Sequence, residues 1–448
     1  MQLQNLRPRS DNGGQMDKVS YDVAVVGSGM GGLCAASLLA KSGYRVLVAE
    51  RMPRIGGRCS TIDFKGFKCP TAAISPEIGA TLEGVYRETG ADFNVRPLQK
   101  VSFRIGGKTV HPGSGGIRNL MAETLSDNQE VERLFNAYKR AMRLSNPSRH
   151  ISLRGWLNQY TDNQAVRGLF GSLITAVLLV NIDEVTAYDY FEYMKVGGKA
   201  RAGYPPAGSL GFIEPLAKVV KANHGDVWTG AAVTKINVSD GVATGVTIKH
   251  DNDEISVESR AVISNTGPSR TVDLTSEQFF DRGYLKELRQ NLKPVPMFWF
   301  HIQSDYPLIE DDAVMTCDTR RIVALFNPTR LCPELAPKGK HLMLAHGTLT
   351  SSLPPYNLER EIDLNLRDLE ECLPGFNRHK NLLLVSTFQG DWPAGRSWPG
   401  LDMPQKTSIE YLYNVGDGAR PPGMQGLPSC AASARLVADD IRNRIKLS

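Results

Sequence analysis

Between Tyr21 and Ser60 the pattern of apolar and polar positions changes period twice. Val23–Val26 is a short unbroken apolar run, the mark of a strand buried on both faces of a parallel sheet. It ends in Gly27-Ser28-Gly29-Met30-Gly31-Gly32, after which Ala and Leu dominate as far as Ser42-Gly43, predicting a helix that opens on the glycines. Tyr44–Ala49 then reads as a second buried strand closing on Glu50. Further along, Leu210–Ala222 is an amphipathic helix with Ser209 placed to cap it. Ala232–Val238 and Val242–Lys249 alternate with a period of two around a turn at Gly241, and Ala261–Ser264 runs apolar into Asn265-Thr266-Gly267-Pro268. Near the end come a short strand, Leu412–Val415, a turn at Gly416-Asp417-Gly418 and a long helix, Pro428–Ile445, whose first turns hold Ser429, Ala431, Ala432 and Ser433. The most apolar segment, Gly168–Val180, is shorter than the roughly 20 residues that span a bilayer, so it predicts a buried helix; lining an apolar tunnel or lying on a membrane surface are the alternatives.

The first of these blocks has chemistry in its spacing. In G-x-G-x-x-G, Gly27 permits the tight turn, Gly29 lets the backbone approach a pyrophosphate and Gly32 lets the helix pack closely on the strand. The free amides of Met30 and Gly31 and the helix dipole then face the phosphates. Glu50 follows about 20 residues on, where a carboxylate accepts ribose hydroxyls and repels a phosphorylated ribose. A second glycine turn after Glu50 and Arg51, Gly56-Gly57-Arg58, lets the chain double back beneath the pyrophosphate while Arg58 pairs with it, and this separates FAD from NAD. A carboxylate after a strand-ending glycine, Asp417, accepts sugar hydroxyls in the same way as Glu50.

Composition narrows the class. A chain of 448 residues is too long for one ordinary core, and a net charge of +5 from 52 basic and 47 acidic residues, with no aromatic-basic motif, argues against a nucleic-acid binder. Seven cysteines without a C-x-x-C pair fit a reducing compartment, so the expected location is cytoplasmic, with peripheral membrane contact as an allowed addition. The expected fold is α/β, a Rossmann-like FAD-binding domain of mostly parallel sheet with a β-meander, plus a discontinuous α+β substrate domain. In this division residues 1–19 are a disordered leader, residues 20–100, 204–270 and 405–448 bind FAD, and residues 101–203 and 271–404 form the substrate cap.

The stretches VVGSGMGGL with Glu50 and GGR, YPPAGS at 204–209, VTKINVSDGVATGV at 233–246, AVISNTGP at 261–268, APKGKH at 336–341 and NVGDGARPPGMQGLPSCAASARLVADDI at 414–441 together resemble the phytoene desaturase and flavin amine oxidase superfamily of FAD proteins, and more closely its phytoene-desaturase-like branch. The resemblance implies that Val233 contacts the adenine side of FAD, that Asp417 bonds the ribityl or pyrophosphate region, and that Met424-Gln425-Gly426 lie beside the isoalloxazine. The chain departs from the family at Phe67–Ala73, where an aspartate-x-glycine is usual, and it lacks the glutamate-histidine-threonine run of amine oxidases.

Flavin chemistry passes a hydride through the cofactor and needs no conspicuous acid-base motif from the protein. Candidates to accompany it are His301, as proton donor or acceptor, and Tyr204 beside the flavin-domain turn. Phe298, Trp299, Phe300, Tyr188, Tyr190 and Tyr193 are the aromatic residues available to an apolar substrate. No metal spacing and no hydrolytic triad order is present. Four readings follow: a dehydrogenase, desaturase or ene-type reductase acting on a carbon-carbon bond of a small apolar, isoprenoid or alicyclic substrate with an electron partner the sequence does not name; an amine oxidase; a flavin isomerase; and an escort-type binding protein of the same fold.

Overall fold

A computed structural model describes residues 19–144, 149–198, 201–251 and 253–447. It is a mixed α/β structure built on two seven-stranded sheets. The expected leader lies outside the described residues except for Val19, which already opens the first strand.

In the first sheet, Val19–Val26 lies between Val46–Glu50 and Asp253–Ser264, all parallel, with Asp226–Thr229 extending one side and Leu412–Asn414 pairing Asp253–Ser264 on the other. The unbroken apolar runs at the centre are buried, as a parallel sheet covered on both faces requires. Helix Met30–Lys41 packs on one face together with Gly208–Ala222 and Gly426–Arg444, while the hairpin Ala231–Ser239/Val242–His250 and helices Pro268–Thr275 and Arg282–Asn291 cover the other.

Two elements differ from the sequence reading. Ala261–Ser264 is only the end of a 12-residue strand. Its first half is the third strand of the meander and pairs antiparallel with Val242–His250, and its second half pairs parallel with Val19–Val26. The charged residues of Asp253–Arg260 hid that first half, because one face there is solvated. Ser209 is not a cap: the helix begins at Gly208 with Ala207 before it, and the Ser209 hydroxyl donates to the Ala73 carbonyl at 2.5 Å.

The second sheet is antiparallel except where Ala313–Thr316 meets Val101–Ile105. Its centre is Met297–Ser304, flanked by His341–Gly347 and Leu382–Phe388. Alternation divides the central strand. Phe298, Phe300 and Ile302 pack with Leu366 and Leu369 of helix Leu358–Cys372, whereas Trp299 packs with Ile74, Tyr204, Phe326 and Leu344. The apolar segment Gly168–Val180 is mostly within helix Gln164–Leu178, whose Phe170 and Ile174 are fully buried among Tyr138, Tyr190 and Phe191. Among the described residues no helix is long and apolar enough to cross a membrane.

Candidate functional site

The two glycine turns meet at the C-terminal edge of the first sheet, where the ends of parallel strands leave a crevice for ligands. Gly29 and Gly56 form a parallel bridge, and the Gly56 amide donates to the Ser28 carbonyl at 3.1 Å. The turn is too tight for side chains. A Cβ on Gly32 would collide with the Gly27 carbonyl, one on Gly31 would lie 2.8 Å from the Gly416 amide nitrogen, and Gly27 itself has φ of +92°. Met30, the first residue of the helix, is buried, and its sulfur receives the Cys34 thiol at 3.6 Å. Glu50 is buried at the strand end and organises this turn: one carboxylate oxygen accepts from the Ser28 amide at 2.9 Å and hydroxyl at 2.7 Å, the other from the Met52 amide at 2.8 Å. Arg51 beside it is exposed.

Arg58 and Asp417, separate candidates in the sequence, are each other's partners. The guanidinium makes a bidentate pair with the carboxylate, one arm at 2.8 Å, and also donates to the carbonyls of Pro393 at 2.9 Å and Ala394 at 3.0 Å. Asp417 accepts from the Arg396 amide at 3.0 Å, with the Arg396 guanidinium 3.8 Å away. Burial alone would raise the Asp417 pKa, but the Arg58, Arg396 and Arg420 cations overcome it and hold the carboxyl well below the usual range. Arg396 shows the other side of this balance. Burial, then repulsion from Arg58, pushes it down to about 10. Two guanidiniums share one carboxylate here, and the local excess of positive charge suits an anion.

Three residues that the sequence reading passed over belong to this edge. Asn265 directly follows strand Asp253–Ser264, and its amide group lies in the glycine cradle, where a Cβ on Gly29 or Gly31 would meet it. Its place at the end of a parallel strand was the available signal. Arg396 comes from a loop rich in Trp, Pro and Gly with no local pattern to mark it. Glu77 opens the short strand Glu77–Ile78 and reaches Gly426 at the start of the C-terminal helix.

The remaining predicted residues lie on several elements of both sheets and the helices between them. Gly57 has φ of +55°, as a second tight turn needs. Val233 is partly buried on its strand, at a register shift opposite Ile248. Met424 is partly buried, and the Gln425 amide donates to the Leu178 carbonyl at 3.3 Å. Tyr204 is fully buried, and its hydroxyl donates to the Asp312 carbonyl at 2.7 Å; burial, then the Asp312 charge, raises its pKa well above normal. His301 is fully buried with Nε2 3.1 Å from the Ser386 hydroxyl and Nδ1 unpartnered, and burial lowers its pKa to about 4. His301 shares its face with Trp299, whose indole N–H donates to the Ala72 carbonyl at 2.9 Å, and with His346, whose ring centre is 5.1 Å from that of Trp299. Burial lowers the His346 pKa to about 3, so both imidazoles are neutral at physiological pH. The face aimed at Ala72 is therefore Trp299/His301, and Phe298/Phe300 are core.

Comparison with known proteins agrees with this geometry. A model of the NAD(P)-binding Rossmann-like domain matches residues 25–78. An uncharacterized protein of Methanocaldococcus jannaschii is 25% identical over 409 residues, 90% of this chain and 94% of the relative. The 4,4'-diapolycopen-4-al dehydrogenase of Metabacillus indicus is 22% identical over 480 residues, 94% and 96% of the two chains. The phytoene desaturase of Rhodobacter capsulatus is 24% identical over 287 residues, 55% and 52% of the two chains. Among solved structures, an oxidoreductase from Methanosarcina mazei superposes with a TM-score of 0.82 at 29% identity, covering 93% of this chain and 99% of that one. Putrescine oxidase gives 0.71 at 16% identity, covering 95% and 100%, which shows a shared fold. The chain thus has a phytoene desaturase and a diapolycopenal dehydrogenase among its homologues and shares the fold of putrescine oxidase.

Proposed function

We propose that this protein is an FAD-dependent oxidoreductase that passes a hydride between flavin and a carbon-carbon bond of a small apolar substrate, of isoprenoid or alicyclic type. The observation that carries the reading is the contrast across the site. A glycine and arginine edge suited to a dinucleotide faces, through Ala72, a sheet surface of Trp299, Leu344 and Phe326 on which the imidazoles of His301 and His346 are neutral.

The residues present fit FAD. At Gly27, Gly29, Gly31 and Gly32 no Cβ stands in the approach to the helix amides, as a pyrophosphate requires, and the excess guanidinium charge at Arg58 and Arg396 complements its negative charge. Glu50 has one acceptor position left for a ribose hydroxyl after its three bonds to the turn. Val233 would flank the adenine, Asp417 the ribityl chain, and Met424 and Gln425 the ring. Bound flavin supplies the hydride chemistry. The chain's own part is to orient the ring against the Trp299 face and to exclude water and charge from it.

His301 and Tyr204 act in this reading as positioning residues, since the first is neutral and bonded to Ser386 and the second is committed to Asp312. The remaining parts of the reading are a separate electron acceptor or donor, no nucleic-acid partner and a cytoplasmic location that allows peripheral membrane contact. The test is the visible spectrum of purified protein followed by anaerobic mixing with isoprenoid and alicyclic alkenes and with a panel of amines. FAD release and flavin bleaching by the apolar set are expected. Bleaching by amines alone overturns the substrate class, and a colourless protein that refuses FAD overturns the cofactor.

A further inference from the structure

Among the described residues Glu77 is a carboxyl group without an ion-pair partner, set against the first residue of the C-terminal helix. Strand Glu77–Ile78 pairs antiparallel with Arg201–Tyr204 and sets the side chain against Gly426, the first residue of the C-terminal helix. A Cβ on Gly426 would lie 2.5 Å from the Glu77 Oε1 and 3.4 Å from its carboxyl carbon, and Gly426 has φ of +62°, so only glycine lets the carboxyl come this close. Among the described residues the carboxylate has only its own backbone N–H as a hydrogen-bond donor.

The titratable groups that feel its charge are the Cys59 thiol, next to Arg58 in the second glycine turn, and the Tyr193 phenol on helix Ala187–Val196. Burial first, then Cys430 and Glu77, keep the Cys59 thiol protonated; burial and then Glu77 do the same for the Tyr193 phenol; and burial pushes the Cys430 thiol on the C-terminal helix up to about 12. Among the described residues Arg201, exposed on the paired strand, makes no ion pair with it, and Glu83, on the helix that follows, carries a like charge. Burial pushes Glu77 up to about 7. Two opposing influences meet in this group, because burial favours the neutral acid and the positive end of the helix favours the anion.

We propose that Glu77 is a proton-dependent charge control at the ring of the bound flavin: it holds its proton while negative charge rests at the start of the C-terminal helix and releases it to solvent when that charge is gone. The proposal rests on the flavin reading above, with Met424-Gln425 beside the ring. It involves no redox step of its own, only one proton exchanged with solvent for each change of charge in front of it. An ionised Glu77 would repel a negatively charged ring, so reduction of the cofactor becomes harder as pH rises through neutrality.

The test compares the FAD reduction potential of wild-type holoprotein and Glu77→Gln by spectroelectrochemistry from pH 5.5 to pH 9. The two potentials should coincide in acid, and the wild type should become progressively the harder to reduce above pH 7. Curves that run parallel over the whole range overturn the proposal. Infrared pH-difference spectra of the wild type alone cover the case in which Glu77→Gln does not fold: a protonated carboxyl band that disappears near neutrality is expected, and its absence overturns the assignment. A protein that binds no FAD but shows that band defeats the flavin reading and leaves the Glu77 titration standing.

Discussion

The C-terminal edge of the first sheet and the Trp299 face of the second are built on opposite electrostatic principles. At the edge, charge is buried and answered by charge: Arg58, Arg396 and Arg420 surround Asp417, and glycines clear the backbone for an anion. On the face, polar atoms are buried and left neutral. His301 and His346 have lost their tendency to protonate, and the Trp299 indole is fixed by one carbonyl. The difference teaches that the two halves of the site fail differently. The edge fails when an ion loses its partner, and the face fails when a neutral group gains a charge.

The sharpest way to break the comparison is Gly29→Val, which fills the cradle beside Asn265. FAD content should fall from about one per chain to near zero, read from absorbance after gel filtration, while far-UV circular dichroism stays native; full flavin in this variant overturns the edge as the dinucleotide site. Next in size is Asp417→Ala. It strands the Arg58 guanidinium, only 19% exposed, and should cost about 3–5 kcal/mol in urea unfolding, whereas Arg58→Met with Asp417→Leu should restore most of it. Because its folded pKa is depressed, Asp417 contributes stability above the ordinary carboxylate value and loses it as pH falls below about 4.

The face should answer acid at a higher pH. His301, depressed from 6.5 to about 4, stabilises the fold fully above 6.5 and loses that contribution as pH falls toward 4, a swing of about 3 kcal/mol at roughly 1.4 kcal/mol per pKa unit. Urea midpoints measured from pH 7.5 to pH 4 should flatten in His301→Gln, and an unchanged profile would show that the imidazole is solvated. The smallest effect expected is that of Trp299→Phe, which removes one buried N–H to carbonyl bond and should cost about 1 kcal/mol in thermal unfolding without altering FAD content.

What the sequence made legible follows this same division. What depends on steric and local rules near the edge was readable: the strand, turn and helix from Val23 to Lys41, Glu50 at its strand end, and the small residues Ser429 and Ala431 buried at the start of the C-terminal helix. The Arg58 to Asp417 pair was not, because its members are 359 positions apart and each alone suits a phosphate or a sugar. Asn265, Arg396 and Glu77 were missed for the same reason: nothing in their immediate neighbours marks them. On the face, Phe298, Trp299 and Phe300 stood in the sequence as one group of aromatic residues; strand alternation sets Trp299/His301 opposite Phe298/Phe300, and only the bond to Ala72 says which pair points toward the edge.

Arg58 has a meaning for biogenesis as well. Its guanidinium ties a turn near the start of the chain to carbonyls 335 and 336 positions downstream and to a carboxylate 359 positions downstream. Closing loops of that length is entropically slow, and the last partner is synthesised 359 residues after Arg58. A polypeptide stalled before Asp417 therefore has no clasp to close, and its Arg58 turn stays untied however completely the glycine turns upstream have formed.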